Sequence, residues 1–189
     1  RNRVMNTGSP FSAQPVYGGP AYFVRNVAGG FTRTGFKFHE AHPSGLVVYH
    51  NTMVGKDLLG RGLYSNLHMR NNLYLPWAAG PRRAIGTVAF PDPVATTTAD
   101  YNGYGPNVVF KSTPLDAYSP IMDKTRDPWW PLKKYPDPAL DRKHETLAAL
   151  RTATGLELHA IQVDFDLFGD PRPEPPPEGG PIAAMRFEL

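Results

Sequence analysis

The chain has 189 residues, with 21 Pro and 18 Gly, so one domain with a sizeable core and many turns is expected. It has no Cys, which excludes disulfides, thiolate metal sites and a thiol nucleophile. The formal charge is only +3, the Lys and Arg form no basic stripe, and no apolar run nears the ~18 residues of a membrane span. Neither a nucleic-acid partner nor membrane insertion is therefore expected.

From the N-terminus onward one short phrase recurs. Arg1-Asn2-Arg3-Val4 is its first trace, and Ala21-Tyr22-Phe23-Val24-Arg25-Asn26-Val27-Ala28 repeats it. Gly45 to Val54 carries it around Asn51, Asn66 to Leu75 around Asn72, and Ala99 to Tyr104 around Asn102. The asparagines are 24, 25, 21 and 30 residues apart. Apolar residues keep step with them. Phe23, Val48, Met69 and Ala99 stand three positions before the Asn, and Val4, Ala28, Met53, Tyr74 and Tyr104 two positions after it.

A repeat of this length predicts a solenoid, in which each coil buries its apolar face only by stacking on the next. Strand alternation sends Leu46 and Val48 inward, and Val47 and Tyr49 outward. A turn after Tyr49 resets the phase, so that Asn51 and Met53 point inward. Stacked Asn side chains can then hydrogen-bond along the solenoid, which makes Asn26, Asn51 and Asn72 ladder residues rather than ligands.

The links between phrases supply further strands. Gly35-Phe36-Lys37-Phe38-His39 alternates, with Phe36 and Phe38 inward and Lys37 and His39 outward. Ala84 to Phe90 and Asn107 to Phe110 are two more, and Pro91-Asp92-Pro93 reads as a turn. Residues 1–110 thus form the coils, about five in number. Residues 111–137, rich in Pro and holding Trp129 and Trp130, read as a long external loop anchored by its tryptophans. Residues 138–189 complete the same domain. A short helix opens at Asp137-Pro138 and is capped by Gly155, Leu158 to Val163 is a closing strand, and Asp170 to Pro181 is a Pro-rich tail.

The phrases YFVRNV, VVYHNTMVG, LHMRNNLYL and ADYNGYGPN resemble the right-handed parallel β-helix repeat proteins of bacteria. The segment ETLAALRTATGLELHAIQVDFDLF resembles their C-terminal part, where a short helix, a TG turn and a last strand close the fold. The implied fold is all-β: a right-handed parallel β-helix, a single-stranded solenoid, with a long external loop and one short α-helix. The resemblance also implies an exported or cell-surface protein and a longer chain. Coils would precede Arg1, and a missing N-terminal half or a second copy could stack on the open end.

In the lyases of this group a groove runs along one outer face of the coils. A Lys, Arg, His or Tyr removes the C5 proton of a uronic acid, and Ca²⁺ or a cationic side chain neutralises its carboxylate. The expected function is therefore carbohydrate-active, with β-elimination of a uronic-acid polysaccharide leading. A glycoside hydrolase or a non-catalytic carbohydrate-binding or surface-structural β-helix are the alternatives. No cofactor is expected, Ca²⁺ being the one ion the resemblance leaves open.

Two clusters can carry such chemistry. The first is Lys37, His39, Glu40 and His42, where His39 is a base near neutral pH and Lys37 holds a carboxylate. No HExxH-like spacing turns it into a metal site. The second comes from stacking. Arg25, His50 and Asn71 each precede a ladder Asn and should stand above one another, ~4.8 Å apart, with Tyr49 and Arg70 in the next row and His68 beside them. The expected catalytic residues are Lys37, His39, His50 and Arg70. The expected substrate-binding residues are Arg25, Tyr49, His68, Glu40 and His42. Asp100 has no evident carboxylate partner for hydrolysis.

Overall fold

Short strands separated by turns cannot bury their own apolar residues, so the strands of one repeat must pair with those of the next. The computed structural model describes residues 1–12, 20–37, 45–59, 67–77, 85–92, 97–114, 118–121, 133–136 and 141–163. In chain order the strands are β1 (Arg3–Met5), β2 (Phe11–Ser12), β3 (Ala21–Val24), β4 (Val27–Lys37), β5 (Leu46–Tyr49), β6 (Thr52–Leu59), β7 (Leu67–Arg70) and β8 (Leu73–Pro76). They continue with β9 (Gly86–Asp92), β10 (Thr98–Asp100), β11 (Gly103–Tyr104), β12 (Val108–Pro114), β13 (Tyr118–Ile121), β14 (Lys133–Pro136) and β15 (Arg142–His144). Helix α1 (Leu147–Thr154) and β16 (Ile161–Gln162) follow.

The fold is a parallel β-helix. One face is the four-stranded sheet β3-β5-β7-β10, parallel throughout. A ten-stranded sheet makes the rest of the wall as two ladders that share the long strands β4 and β6. The first ladder is β1-β4-β6-β8-β11-β16 and the second is β2-β4-β6-β9-β12-β15. Register shifts at Phe31 and Thr34 lie where β4 passes from one ladder to the other. The four-stranded face is complete over about three turns, fewer than the five expected, because the first repeat contributes only β1 and β2 and the last only β16 among the described residues, none of them to that face.

The asparagines form the expected ladder. Asn26, Asn51 and Asn72 are buried, and each donates from its amide and its backbone N–H to the Oδ1 of the next Asn, at 2.9 to 3.0 Å. The second amide hydrogen of Asn51 goes to the Phe23 carbonyl at 2.8 Å, and that of Asn72 to the Val48 carbonyl at 2.7 Å. The amides are thus satisfied as completely as in a fibril ladder, so burying them costs little. The residue before each ladder Asn turns the chain in the left-handed region: Arg25 has φ 55°, His50 56°, Asn71 55° and Tyr101 58°. Only Asn tolerates that conformation readily. The backbone bonds Arg25 N–H to Tyr49 O and His50 N–H to Arg70 O, both 3.0 Å, hold Arg25 and His50 there, and the Tyr101 N–H donates to Asp100 Oδ1 at 2.9 Å.

Inside, Leu46, Val48, Leu67, Met69, Met53 and Tyr74 are fully buried in the stacked rows the repeat implies. Phe36 stacks on Phe11 at 5.5 Å and meets Phe23 edge-on at 5.6 Å, extending the core toward the N-terminal end.

Three local expectations change. The helix starts at Leu147 rather than at Pro138, because Thr146 is its N-cap and accepts from the Ala149 N–H at 3.1 Å. Upstream of it, Arg142–His144 is strand, antiparallel to β12 and fixed by the buried Ser112–His144 hydrogen bond of 2.8 Å. Pro91 and Asp92 belong to strand β9 rather than to a turn, and Leu158–His159 form a turn before the short strand β16. Gly155 does cap the helix, with φ 71° and its N–H on the Arg151 carbonyl. Phe38, Trp129, Trp130, Pro138, Leu140 and the tail from Asp170 lie outside the described residues.

Candidate functional site

The outward side chains of the four-stranded sheet are set by alternation and register. Val47, His68 and Thr98 stand in one row, and Tyr49, Arg70 and Asp100 in the next. Beyond their ends runs the column of left-handed residues Arg25, His50, Asn71 and Tyr101. This is the stacking expected for Arg25, His50, Tyr49, His68 and Arg70, and the structure brings these five onto one face. Arg25, His50 and Arg70 are exposed, and Tyr49 and His68 are half-buried. Lys37 stands elsewhere, at the end of β4 in the ten-stranded sheet, in register with Ser12. His39, Glu40 and His42 lie outside the described residues.

At the C-terminal end of this face the surface is concave. An open groove of about 510 Å³ is lined by Tyr49, Arg70, Thr98, Asp100, Leu156 and Leu158, among others. The far wall comes from the loop after α1, so the groove lies between the solenoid face and its closing segment. Arg70 places its guanidinium 5.1 Å from the centre of the Tyr101 ring, and no carboxylate pairs with it among the described residues. His68 Nδ1 lies 2.8 Å from the Thr98 hydroxyl.

Asp100 has a partner that its sequence neighbourhood does not show. Its Oδ2 is 2.8 Å from Nδ1 of His159, and its Oδ1 accepts the backbone N–H of His159 at 2.7 Å and of Tyr101 at 2.9 Å. Partial desolvation opposes ionisation of Asp100. The hydrogen bonds from His159 and from the Tyr101 N–H outweigh it and hold the carboxyl below the usual carboxylate range. The His159 ring stacks on Tyr101 at 4.7 Å, 7° from parallel. Arg70, Tyr101, His159 and Asp100 thus make one contiguous polar-aromatic cluster beside the groove.

Under this cluster the ladder ends in a carboxyl. Asn102 donates its amide to Oε1 of Glu157 at 2.8 Å, and the buried Tyr104 hydroxyl donates to the same oxygen at 2.6 Å. Glu157 is fully buried, and its Oε2 has no hydrogen-bond partner among the described residues. Burial raises its pKa to about 7, although the bonds from Tyr104 and Asn102 favour the anion.

His159, Tyr101 and Glu157 were not singled out from the sequence. Glu157 follows Asn102 by 55 residues, so the long insertion between them hides the ladder period. The pairing of Asp100 with His159 spans 59 residues and leaves no local pattern. Among the described residues no group of three His, Cys, Asp or Glu is placed to hold a metal ion. Comparisons of the chain with protein-family models, with curated proteins and with solved structures gave no match, so its functional reading rests on its own residues.

Proposed function

We propose that the chain is carbohydrate-active and that the groove beside the four-stranded sheet cleaves a uronic-acid polysaccharide by β-elimination. The observation that carries this reading is the row Tyr49–Arg70–Asp100 opening into one groove, with Arg70 unpaired by any described carboxylate. Elimination needs a cation on the uronate carboxylate, a base at C5 and a proton for the departing C4 oxygen. Arg70 suits the first role, since a guanidinium binds a carboxylate through two parallel hydrogen bonds. Tyr49, its neighbour in register, suits the last, and its ring can also carry a sugar face. Arg25 and His50 extend the same column toward further sugar units. Such polymers are met outside the cell, so a secreted or surface setting is part of the proposal.

Hydrolysis by a carboxylate pair is less well supported, because Asp100 is the one carboxylate among the described residues lining the groove. The deciding experiment incubates the protein with polygalacturonate and with alginate and follows both unsaturated-uronate absorbance and new reducing ends. Both signals together support elimination, whereas reducing ends alone sink it in favour of hydrolysis. Arg70→Ala is expected to lower kcat/KM by about 10- to 100-fold, the worth of a charge-assisted hydrogen-bond pair.

A further inference from the structure

The geometry points to His159 as the base of this elimination, aimed by Asp100 as its positioning residue. The assignment rests on the elimination reading above and adds the group that reading still needs.

An ionised Asp100 only accepts hydrogen bonds, so Nδ1 of His159, 2.8 Å from Oδ2, must carry the ring proton. Nε2 is then the basic nitrogen. Among the described residues no group bonds it, and the His159 side chain is 58% exposed, so a substrate can reach it. The same carboxylate grips the backbone of its histidine through Oδ1, which fixes the ring relative to the groove. Tyr101 lies flat against the ring and limits its rotation. Position is fixed again from below. His159 sits in a tight turn between the buried residues Glu157 and Ala160, and Arg151 of α1 donates to the carbonyls of both. An exposed imidazole on a loop held this firmly is pre-organised for proton transfer.

His144, the other described histidine at the C-terminal end, shows the contrast. His144 is buried against Ser112, out of reach of any substrate, and serves packing. His159 has a carboxylate behind it and solvent in front.

The step balances without a co-reactant. Nε2 takes the C5 proton, the C4–O bond breaks as the C4–C5 double bond forms, and the leaving oxygen is protonated by the Tyr49 hydroxyl. The imidazolium proton returns to the phenolate through solvent. Among the described residues, the charged and titratable groups around His159 are Asp100 on β10, Tyr101 stacked on its ring, Arg70 on β7 near the same Tyr101 ring, Arg151 on α1 and the buried Glu157.

The experiment compares wild type, His159→Gln and Asp100→Asn on polygalacturonate and alginate, following unsaturated-uronate formation across pH, with thermal melts run alongside. His159→Gln is expected to lower kcat by ~10²–10⁴-fold, the usual share of a positioned base, in a protein that still melts cooperatively. Asp100→Asn offers Nδ1 an amide instead of an anion. It is expected to lower kcat by about 10-fold or more with KM little changed, because the ring loses the anion that aims it. A merely structural pair would lower the melting temperature and leave the kcat of the folded protein in place. Wild-type turnover in His159→Gln, or a wild-type kcat in Asp100→Asn, overturns the assignment and leaves the elimination reading standing. If His159→Gln fails to fold, the split between kcat and KM in Asp100→Asn decides alone. A wild type that binds the polymers but forms no unsaturated uronate overturns the elimination reading, and the base assignment with it.

Discussion

Asn51 shows how much one side chain does in a stacked repeat. Its Oδ1 accepts from the backbone and the amide of Asn26, and its own amide serves Asn72 and the Phe23 carbonyl. No other residue type offers one acceptor and two donors at that length while sitting next to a left-handed turn. Removing it leaves the Asn26 donors buried without an acceptor. Asn51→Ala is expected to destabilise the fold by at least about 1–3 kcal/mol. A chemical-denaturation midpoint equal to that of wild type would show that the ladder contributes nothing. The neighbouring His50 is the opposite case. Its backbone is fixed by the turn while its side chain is exposed, so what it contributes is directed outward.

Among the elements, β6 is where the two ladders of the ten-stranded sheet meet. Its first half pairs with β8, while Leu59 pairs with β9. Gly55 lies at the junction, with the Phe31 ring packed directly on its Cα; an added Cβ would meet ring carbons at 2.4 Å. Glycine is required there by the close approach of the ring rather than by its backbone angles. Gly55→Ala must push the ring or bend the strand. The expected cost is about 1–3 kcal/mol, as for other overpacked cores, and a thermal melt is the check. An unchanged melting temperature would mean that Phe31 moves aside freely. Helix α1 makes a related point. Its short length gives little stability of its own, and it is held by the Thr146 cap, the Gly155 cap and the buried Leu147 and Leu150.

At the scale of the molecule, the asparagine ladder ends in a group that titrates. The Glu157 carboxyl has a pKa of about 7 when folded, against an ordinary 4.5, so folding favours its protonated form. Below the ordinary value both states hold the proton and the group costs nothing. As pH rises through the window from 4.5 to about 7, the unfolded chain has lost the proton and the folded one keeps it, so stability falls. Above that window the full penalty of a buried anion applies, on the order of 3 kcal/mol. Asp100 acts in the opposite sense at lower pH. Its depressed pKa gives stability above its unfolded value that is lost as the carboxyl is protonated. Glu157→Gln keeps an acceptor for Asn102 and Tyr104 and removes the titration. Its melting temperature is expected to vary less between about pH 4 and 8 than that of wild type. Equal slopes in the two proteins would remove Glu157 as the cause.

The sequence by itself determined the coil. Asn2 to Asn102, with their apolar companions, state a period, a phase and a ladder, because stacking makes the same demand on every repeat. Parallel register then follows, and with it the outward placement of Tyr49, His50, His68 and Arg70, which two-residue alternation makes readable from one strand alone. What the tertiary structure decided lies where the period breaks. The antiparallel return of Arg142–His144 onto β12, the Glu157 end of the ladder and the meeting of Asp100 with His159 all bridge the insertion after β12. The helix, the TG turn and a closing strand were legible in the segment after Glu145, but which of its side chains meet Asp100 and Asn102 depends on how that segment is laid on the last coil. The groove is the result: one wall follows from the repeat, and the other exists only because the closing loop is laid against it.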